Sequence, residues 1–268
     1  MLALTSSSAR VTEFRARNIT PLVGNLDAPQ TLRRLAGLAT RVVHLAPPPN
    51  DDPHAHTDPR TQALLRVLRL RSLPHSIIYG STSGVYGDCQ GLLVDETRQV
   101  RPDTSRAHRR VDAEAQLRWF GRSAAVPIHI LRIPGIYAPD REGGTPRARL
   151  LKGMPVLAAH DDVYTNHIHA DDLARACLAA LYRGKPQRIT NASDDTDLKM
   201  GDYFDLAADL YGLSRPPRLA RKEAAAQLPA MQLSFMSESR RLANQRLKTE
   251  LRLKLRYPTV KEGLKQES

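Results

Sequence analysis

Short apolar runs alternate with amphipathic stretches over the first two thirds of this 268-residue chain. A short apolar run closed by turn residues reads as a strand, and strands alternating with helices imply parallel βαβ units. Residues 2–4 (LAL), 21–24 (PLVG), 41–46 (RVVHLA), 76–79 (SIIY) and 127–133 (PIHILRI) read as strands. Residues 8–17, 31–38, 59–73, 107–120 and 170–182 read as helices, the last opened by acids that suit a helix N-terminus. Residues 50–58 (NDDPHAHTD) read as a polar loop. Beyond residue 200, the stretches DYFDLAADLYG and ESRRLANQRL read as helical, separated by the turn at Arg215-Pro216-Pro217.

Composition excludes several classes. With 41% hydrophobic and 25% charged residues the chain is globular, and no apolar run approaches the roughly 18 residues of a membrane span. The two cysteines, Cys89 and Cys177, make neither a disulfide framework nor a paired-CxxC zinc site. The first residues show no signal-peptide pattern, so a cytoplasmic location is expected. The formal charge is +12, from 40 Lys and Arg against 28 Asp and Glu, yet only 8 of the basic residues are Lys. Arginines are spread through helical segments with acids nearby and aromatics are 5%, so a solvated surface is favoured over a nucleic-acid partner.

Three segments carry the chemistry. The first is Tyr79-Gly80-Ser81-Thr82-Ser83-Gly84-Val85-Tyr86-Gly87, hydroxyl-rich at the end of a strand. In open α/β sheets ligands bind outside the carboxyl ends of the strands. Read alone, the segment is an ordinary Ser/Gly turn. It is followed in order by Arg132-Ile133-Pro134-Gly135-Ile136-Tyr137-Ala138-Pro139 and by Asn166-His167-Ile168-His169-Ala170-Asp171-Asp172. This ordered set resembles the extended short-chain dehydrogenase/reductase family of the NAD-dependent epimerase/dehydratase type. Ser239-Arg240-Arg241-Leu242 resembles that family's C-terminal S-(K/R) stretch.

The resemblance implies a Rossmann-like, doubly wound parallel sheet with a small C-terminal mixed lobe. Residues 1–140 would form the NAD(P)-binding part, and 141–268 the returning helix near 168–182 and the substrate lobe. The family's first βα turn carries G-x-G-x-x-G, which occurs nowhere in this sequence. Residues 2–4 resemble the family's second strand, so the central first strand and its loop are expected to be lacking, leaving a gap between neighbours. The reading frame is expected to begin upstream of Met1; a natural truncation, or a natural start with another strand in the gap, is the competing reading.

The resemblance also implies roles. Thr5, Ser6 and Arg10 stand where an acid would bind a ribose 2′-hydroxyl, and hydroxyls with Arg suit a 2′-phosphate. NADP is therefore favoured over NAD, with a Ser helix cap as the plain alternative. Asn25 and Leu26, then Leu45, Ala46 and Pro47, line the adenine side; Ser81, Pro134 and Ile136 complete the cofactor set. The catalytic hydroxyl falls on Thr82. The family's Tyr-x-x-x-Lys pair, a general acid/base with a cation that lowers its pKa, falls on Arg106 and Arg110. Arg stays charged and cannot shuttle a proton, but Arg110 can hold a ribose. His108 has a suitable pKa but lies on another helix face.

Ser83, Tyr86, Tyr137 and Arg141 are the substrate candidates. A sugar nucleotide or another anionic metabolite is the expected substrate class; for Arg141, as for Arg147 and Arg149, solvated surface is the plainer role. His167, His169, Asp171 and Asp172 read as structural, and no metal is expected. Cofactor affinity is expected to be weak without a pyrophosphate cradle. The sequence carries a second reading: a non-catalytic nucleotide- or metabolite-sensing or scaffold protein on the same fold.

Overall fold

The structure is a computed structural model that describes residues 1–52, 54–228, 233–234 and 236–265. The chain opens with β1 (Leu2–Thr5), α1 (Arg10–Ala16), β2 (Thr20–Val23), a 3-10 helix (Pro29–Leu35) and β3 (Arg41–His44). Next come α2 (Pro59–Leu68), β4 (Ser76–Thr82), a 3-10 turn (Ser83–Tyr86), β5 (Leu93–Val94), α3 (Ser105–Ser123) and β6 (Ile128–Ile133). Then follow β7 (Gly135–Tyr137), α4 (Arg147–Leu151), β8 (Val156–Leu157), β9 (Tyr164–Thr165), β10 (His167–His169), α5 (Ala170–Arg183) and β11 (Arg188–Asn191). The remaining elements are β12 (Leu198–Lys199), α6 (Met200–Tyr211), β13 (Arg218–Leu219), α7 (Arg221–Gln227), β14 (Arg241–Leu242), α8 (Gln245–Thr249) and α9 (Val260–Leu264). No helix among the described residues is long and apolar enough to cross a membrane.

The chain divides into two compact units. The first comprises Met1–Gly80, Thr104–Ile130 and Lys185–Arg188; the second comprises the rest. In the first unit β1 and β2 pair in parallel, Leu2 opposite Thr20 and Thr5 opposite Val23, with α1 as the crossover. Strands β3 and β4 also pair in parallel, Arg41 opposite Ser76 and His44 opposite Tyr79, connected through α2. They belong to a four-stranded sheet ordered β11-β6-β4-β3, with β3 at its edge. Among the described residues no ladder joins β1 to β3.

Local chemistry explains the helices. Asp58 caps α2, its carboxylate accepting from the backbone of Arg60 (3.0 Å) and Thr61 (3.3 Å), and Pro59 supplies a preset φ at the first position. Thr104 caps α3, accepting from Ala107 N at 3.2 Å. The predicted helix over 31–38 is instead a 3-10 helix that stops before Gly37, whose φ is +69°.

In the second unit β7 pairs with β10, β8 with β13 and β5 with β14 in parallel, while β9 and β12 are antiparallel. Tyr137, Leu150, Val156, Tyr203, Phe204, Val260 and Leu264 form its core. The stretch 238–247, expected to be helical, contains β14 instead and reaches helix only at Gln245. Tertiary bonds override the local pattern: Arg241 N donates to Leu92 O, Leu242 N donates to the Asn166 side-chain oxygen at 2.8 Å, and Asn166 Nδ2 donates to Arg240 O at 2.9 Å.

The glycine of Val85-Tyr86-Gly87 has a backbone reason. Gly87 has φ 65° and ψ −159°, a region essentially closed to side chains, and a Cβ would stand 2.1 Å from Arg101 O. Gly87→Ala is expected to lower stability by about 3 kcal/mol, from backbone strain and overpacking together. Urea unfolding at wild-type midpoint would refute this.

Candidate functional site

In the first unit, the carboxyl ends of parallel strands collect the residues expected to meet a nucleotide. Thr5 ends β1 and is buried; its hydroxyl donates to Ser7 O at 3.3 Å and accepts from Ser7 N at 3.2 Å. Ser6 and Arg10 follow, Arg10 exposed in the first turn of α1 beside Glu13 and Phe14. Asn25 and Leu26 follow β2. Asn25 Oδ1 accepts from Asp27 N at 3.0 Å, and its backbone N donates to Thr31 Oγ1 at 2.8 Å. This turn needs Gly24, where a Cβ would press on Leu4 and on Thr31 O. Leu45, Ala46 and Pro47 follow β3; Leu45 is half exposed, and Pro47 O accepts from Arg60 Nη1 at 2.9 Å.

Arg106 and Arg110 lie one turn apart on α3. Arg106 is exposed, whereas Arg110 is half-buried and reaches the end of β4. Its Nη1 donates to Gly80 O at 2.7 Å and to the Tyr79 hydroxyl at 3.0 Å. Tyr79 is fully buried, and burial pushes its pKa up to about 12 despite the adjacent guanidinium. A phenol at that value stays protonated at neutral pH. Sequence reading missed Tyr79 as Arg110's partner; only the registration of α3 over β4 reveals it.

Behind Tyr79 runs a buried polar chain. His44 and Tyr79 rings lie 5.2 Å apart. His44 Nε2 is 2.9 Å from Thr61 Oγ1, which itself donates to Asp58 Oδ2 at 2.6 Å. Thr61 has one proton and spends it on Asp58, so His44 donates through Nε2. Burial, assisted by the Arg110 charge, lowers the His44 pKa to about 4, so the ring is neutral. Asp58 in turn donates its backbone N to Asp112 Oδ2 at 2.7 Å, and Gln116 bridges Asp58 O and Asp112. The chain fixes β3, α2 and α3 against one another.

Arg109 holds Asn50, Asp52 and Ala55. Arg109 is buried; its Nη1 donates to Asp52 O (2.9 Å) and Ala55 O (3.1 Å), and its Nη2 to Asn50 Oδ1 (2.8 Å). The rings of His56 and His108 stack at 4.2 Å, so His108 packs on this loop.

The second unit holds the remaining candidates. Ser81 and Ser83 are buried, and Thr82 Oγ1 accepts from Gly84 N at 3.2 Å, capping the 3-10 turn. Tyr86 is buried, its hydroxyl donating to Asn191 Oδ1 at 2.8 Å, with the Arg132 guanidinium 4.7 Å above its ring. Asn191 Nδ2 also donates to Val94 O and Ala243 O, and its backbone N donates to Glu96 Oε1 at 2.9 Å. Pro134 is half-buried, Ile136 is exposed, and Arg141 is exposed in the loop after β7. Tyr137 lies in the core, edge-on to His169, its hydroxyl 3.5 Å from Thr259 O where Gly263 leaves room. Burial raises its pKa beyond the titration range of proteins.

The His and Asp cluster is structural in its contacts. His167 is buried and its pKa falls to about 3. His169 Nδ1 accepts from Asp171 N, capping α5. Among the described residues no group of three His, Cys, Asp or Glu side chains is placed to hold a metal.

The sequence profile of the NAD dependent epimerase/dehydratase family matches residues 1–193. A trifunctional UDP-glucose 4,6-dehydratase/epimerase/reductase of Arabidopsis thaliana is 23% identical over 162 residues, 57% of this chain. The match spans 24% of that much longer protein. Among solved structures, a functionally unknown conserved protein from Silicibacter pomeroyi is 29% identical with a TM-score of 0.82, covering 99% of this chain and 88% of that one. The protein RMD from Pseudomonas aeruginosa, solved with NADPH, shares the fold at 18% identity and a TM-score of 0.74, covering 98% and 96%. The chain belongs to the NAD dependent epimerase/dehydratase family.

Proposed function

We propose that this chain is an NADP-preferring member of the family that binds a sugar nucleotide or related anionic metabolite without Tyr-dependent proton transfer. The observation that supports this reading is Arg110, the residue on which the resemblance puts the family's lysine, whose guanidinium hydrogen-bonds the end of β4 through Gly80 O and Tyr79. Arg106 would meet substrate or cofactor as a fixed positive charge. Thr82 would present its hydroxyl at the strand end, and Arg110 would donate to a ribose.

The residues fit one part of the cofactor and not another. Thr5, Ser6 and Arg10 offer hydroxyls and a cation to a 2′-phosphate, and Asn25, Leu26, Leu45, Ala46 and Pro47 offer an edge to adenine. A cradle for the pyrophosphate does not fit: no G-x-G-x-x-G exists, and Gly24 serves packing against Leu4. Ser81, Pro134 and Ile136 are assigned to the cofactor, and Ser83 and Arg141 to the substrate. For Tyr86 and Tyr137, burial favours a supporting role for the substrate residues around them.

A second reading, a non-catalytic nucleotide or metabolite sensor, draws on the same absence of a catalytic tyrosine. One experiment separates them. NADPH and NADH are titrated by their own fluorescence, then UDP-glucose or its 4-keto derivative is added and absorbance of the reduced cofactor followed. Oxidation supports the enzyme, binding without oxidation supports the sensor, and no binding of either nucleotide overturns both.

A further inference from the structure

Two segments of the first unit are assigned above to adenine: Asn25-Leu26 after β2, and Leu45-Ala46-Pro47 after β3. One side chain joins them. Arg60, at the second position of α2, donates through Nε to Asp27 Oδ1 and through Nη2 to Asp27 Oδ2, both at 2.6 Å. Its Nη1 donates to Pro47 O at 2.9 Å. Among the described residues no other side chain is hydrogen-bonded to both segments.

Each end of this bracket is anchored. The Asp58 carboxylate accepts from Arg60 N at 3.0 Å and Pro59 presets the entry to α2, so the arginine stem leaves from a fixed point. Asp27 N donates to Asn25 Oδ1 and Ala28 N to Asn25 O, each at 3.0 Å, which closes 25–28 into a turn. Leu26, inside that turn, packs against the cluster of Leu32, Ala63 and Val67. Pro47 opens a run of three prolines, whose φ angles are preset.

Fold stability does not account for the arrangement. The Asp27 side chain is 42% exposed, and ion pairs at such exposure add little to stability because water screens them. What the geometry fixes is a separation: a planar guanidinium gripping two carboxylate oxygens and a carbonyl holds all three acceptors at set positions.

We propose that Arg60 and Asp27 are positioning residues for the adenine of the cofactor, holding the 25–28 and 45–47 segments at the spacing the base needs. The inference rests on the nucleotide-binding reading above. Ordering a segment on binding subtracts from affinity, and a preformed slot avoids that loss.

The test is titration with NADPH and with adenosine 2′,5′-bisphosphate, followed by saturation-transfer NMR of the adenine protons. Arg60→Ala and Asp27→Ala should each weaken both ligands about tenfold, and the double variant no further, because the two side chains act as one bracket. Arg60→Lys should recover only part of the loss, since an ammonium lacks the planar fork. Melting midpoints should stay within about 3 °C of wild type, a split between affinity and stability that a merely structural pair would not give. Wild-type binding matched by Arg60→Ala, single losses that add in the double variant, full recovery by lysine, or a larger fall in melting midpoint would overturn the bracket and leave the nucleotide reading standing. Wild type that transfers saturation to neither ligand would overturn both.

Discussion

Asp172→Ala should lower the unfolding free energy by about 3–5 kcal/mol, the scale expected when one partner of a buried charged network is removed. The Asp172 side chain is fully buried at the first turn of α5. Its carboxylate accepts from Arg256 N at 3.0 and 2.9 Å, from Tyr257 N at 2.9 Å and from Arg175 Nη1 at 2.5 Å. It thereby ties the 256–257 segment to the start of α5, where the helix dipole also favours an anion. Alanine strands two backbone N–H groups and removes the counter-charge of Arg175. Asp172→Asn keeps one acceptor oxygen and should lose about half as much. Urea unfolding gives the values; an Ala variant within about 1 kcal/mol of wild type would show that water satisfies those donors.

The second large effect is a pH dependence. Asp194 is buried, with Oδ1 held by Thr196 N at 3.0 Å and Oδ2 without a partner. Burial pushes its pKa up to about 7, and the Asp195 and Asp172 carboxylates push the same way. The phenols of Tyr137 and Tyr203 face it and stay neutral here. In the unfolded chain the group titrates near 3.8. Below that pH both states bind the proton; between 3.8 and 7 only the native state does, so rising pH draws stability away until the native group ionises. At 1.36 kcal/mol per unit the loss reaches about 4 kcal/mol by pH 7 and is constant above. His44 and His167 oppose it: with native values near 4 and 3, they destabilise as pH falls below about 6.5. Asp194→Asn isolates the carboxyl. Its stability relative to wild type should rise by about 4 kcal/mol from pH 4 to pH 8; a pH-independent difference would contradict the assignment.

Much of the fold was legible because its signals are local. The strands at 2–4, 41–46, 76–79 and 127–133 emerged from short apolar runs, and Asp58-Pro59 announced the start of α2. Short-range reading failed where distant partners decide. Residues 238–247 have helical composition, yet Asn166 and the β5 ladder hold part of them extended. Arg109 looks like one more surface arginine, yet carbonyls from the 50–55 loop bury it. The candidate site was legible as hydroxyl-rich strand ends. The partners Tyr79 and Asn191 were not, because each contact spans 31 or more residues of sequence.

We propose that this chain reads the adenosine end of NADP through Thr5, Ser6 and Arg10, with no G-x-G-x-x-G among residues 1–268 to hold the pyrophosphate. Calorimetric titration with NADPH and NADH tests it most directly, on wild type and on Arg10→Ala. The account predicts saturable NADPH binding weaker than low micromolar, near the ~1 mM that corresponds to about −4 kcal/mol. NADH should bind more weakly still, and Arg10→Ala should erase the difference. Low-micromolar or tighter NADPH binding, or a preference for NADPH that survives Arg10→Ala, would contradict it.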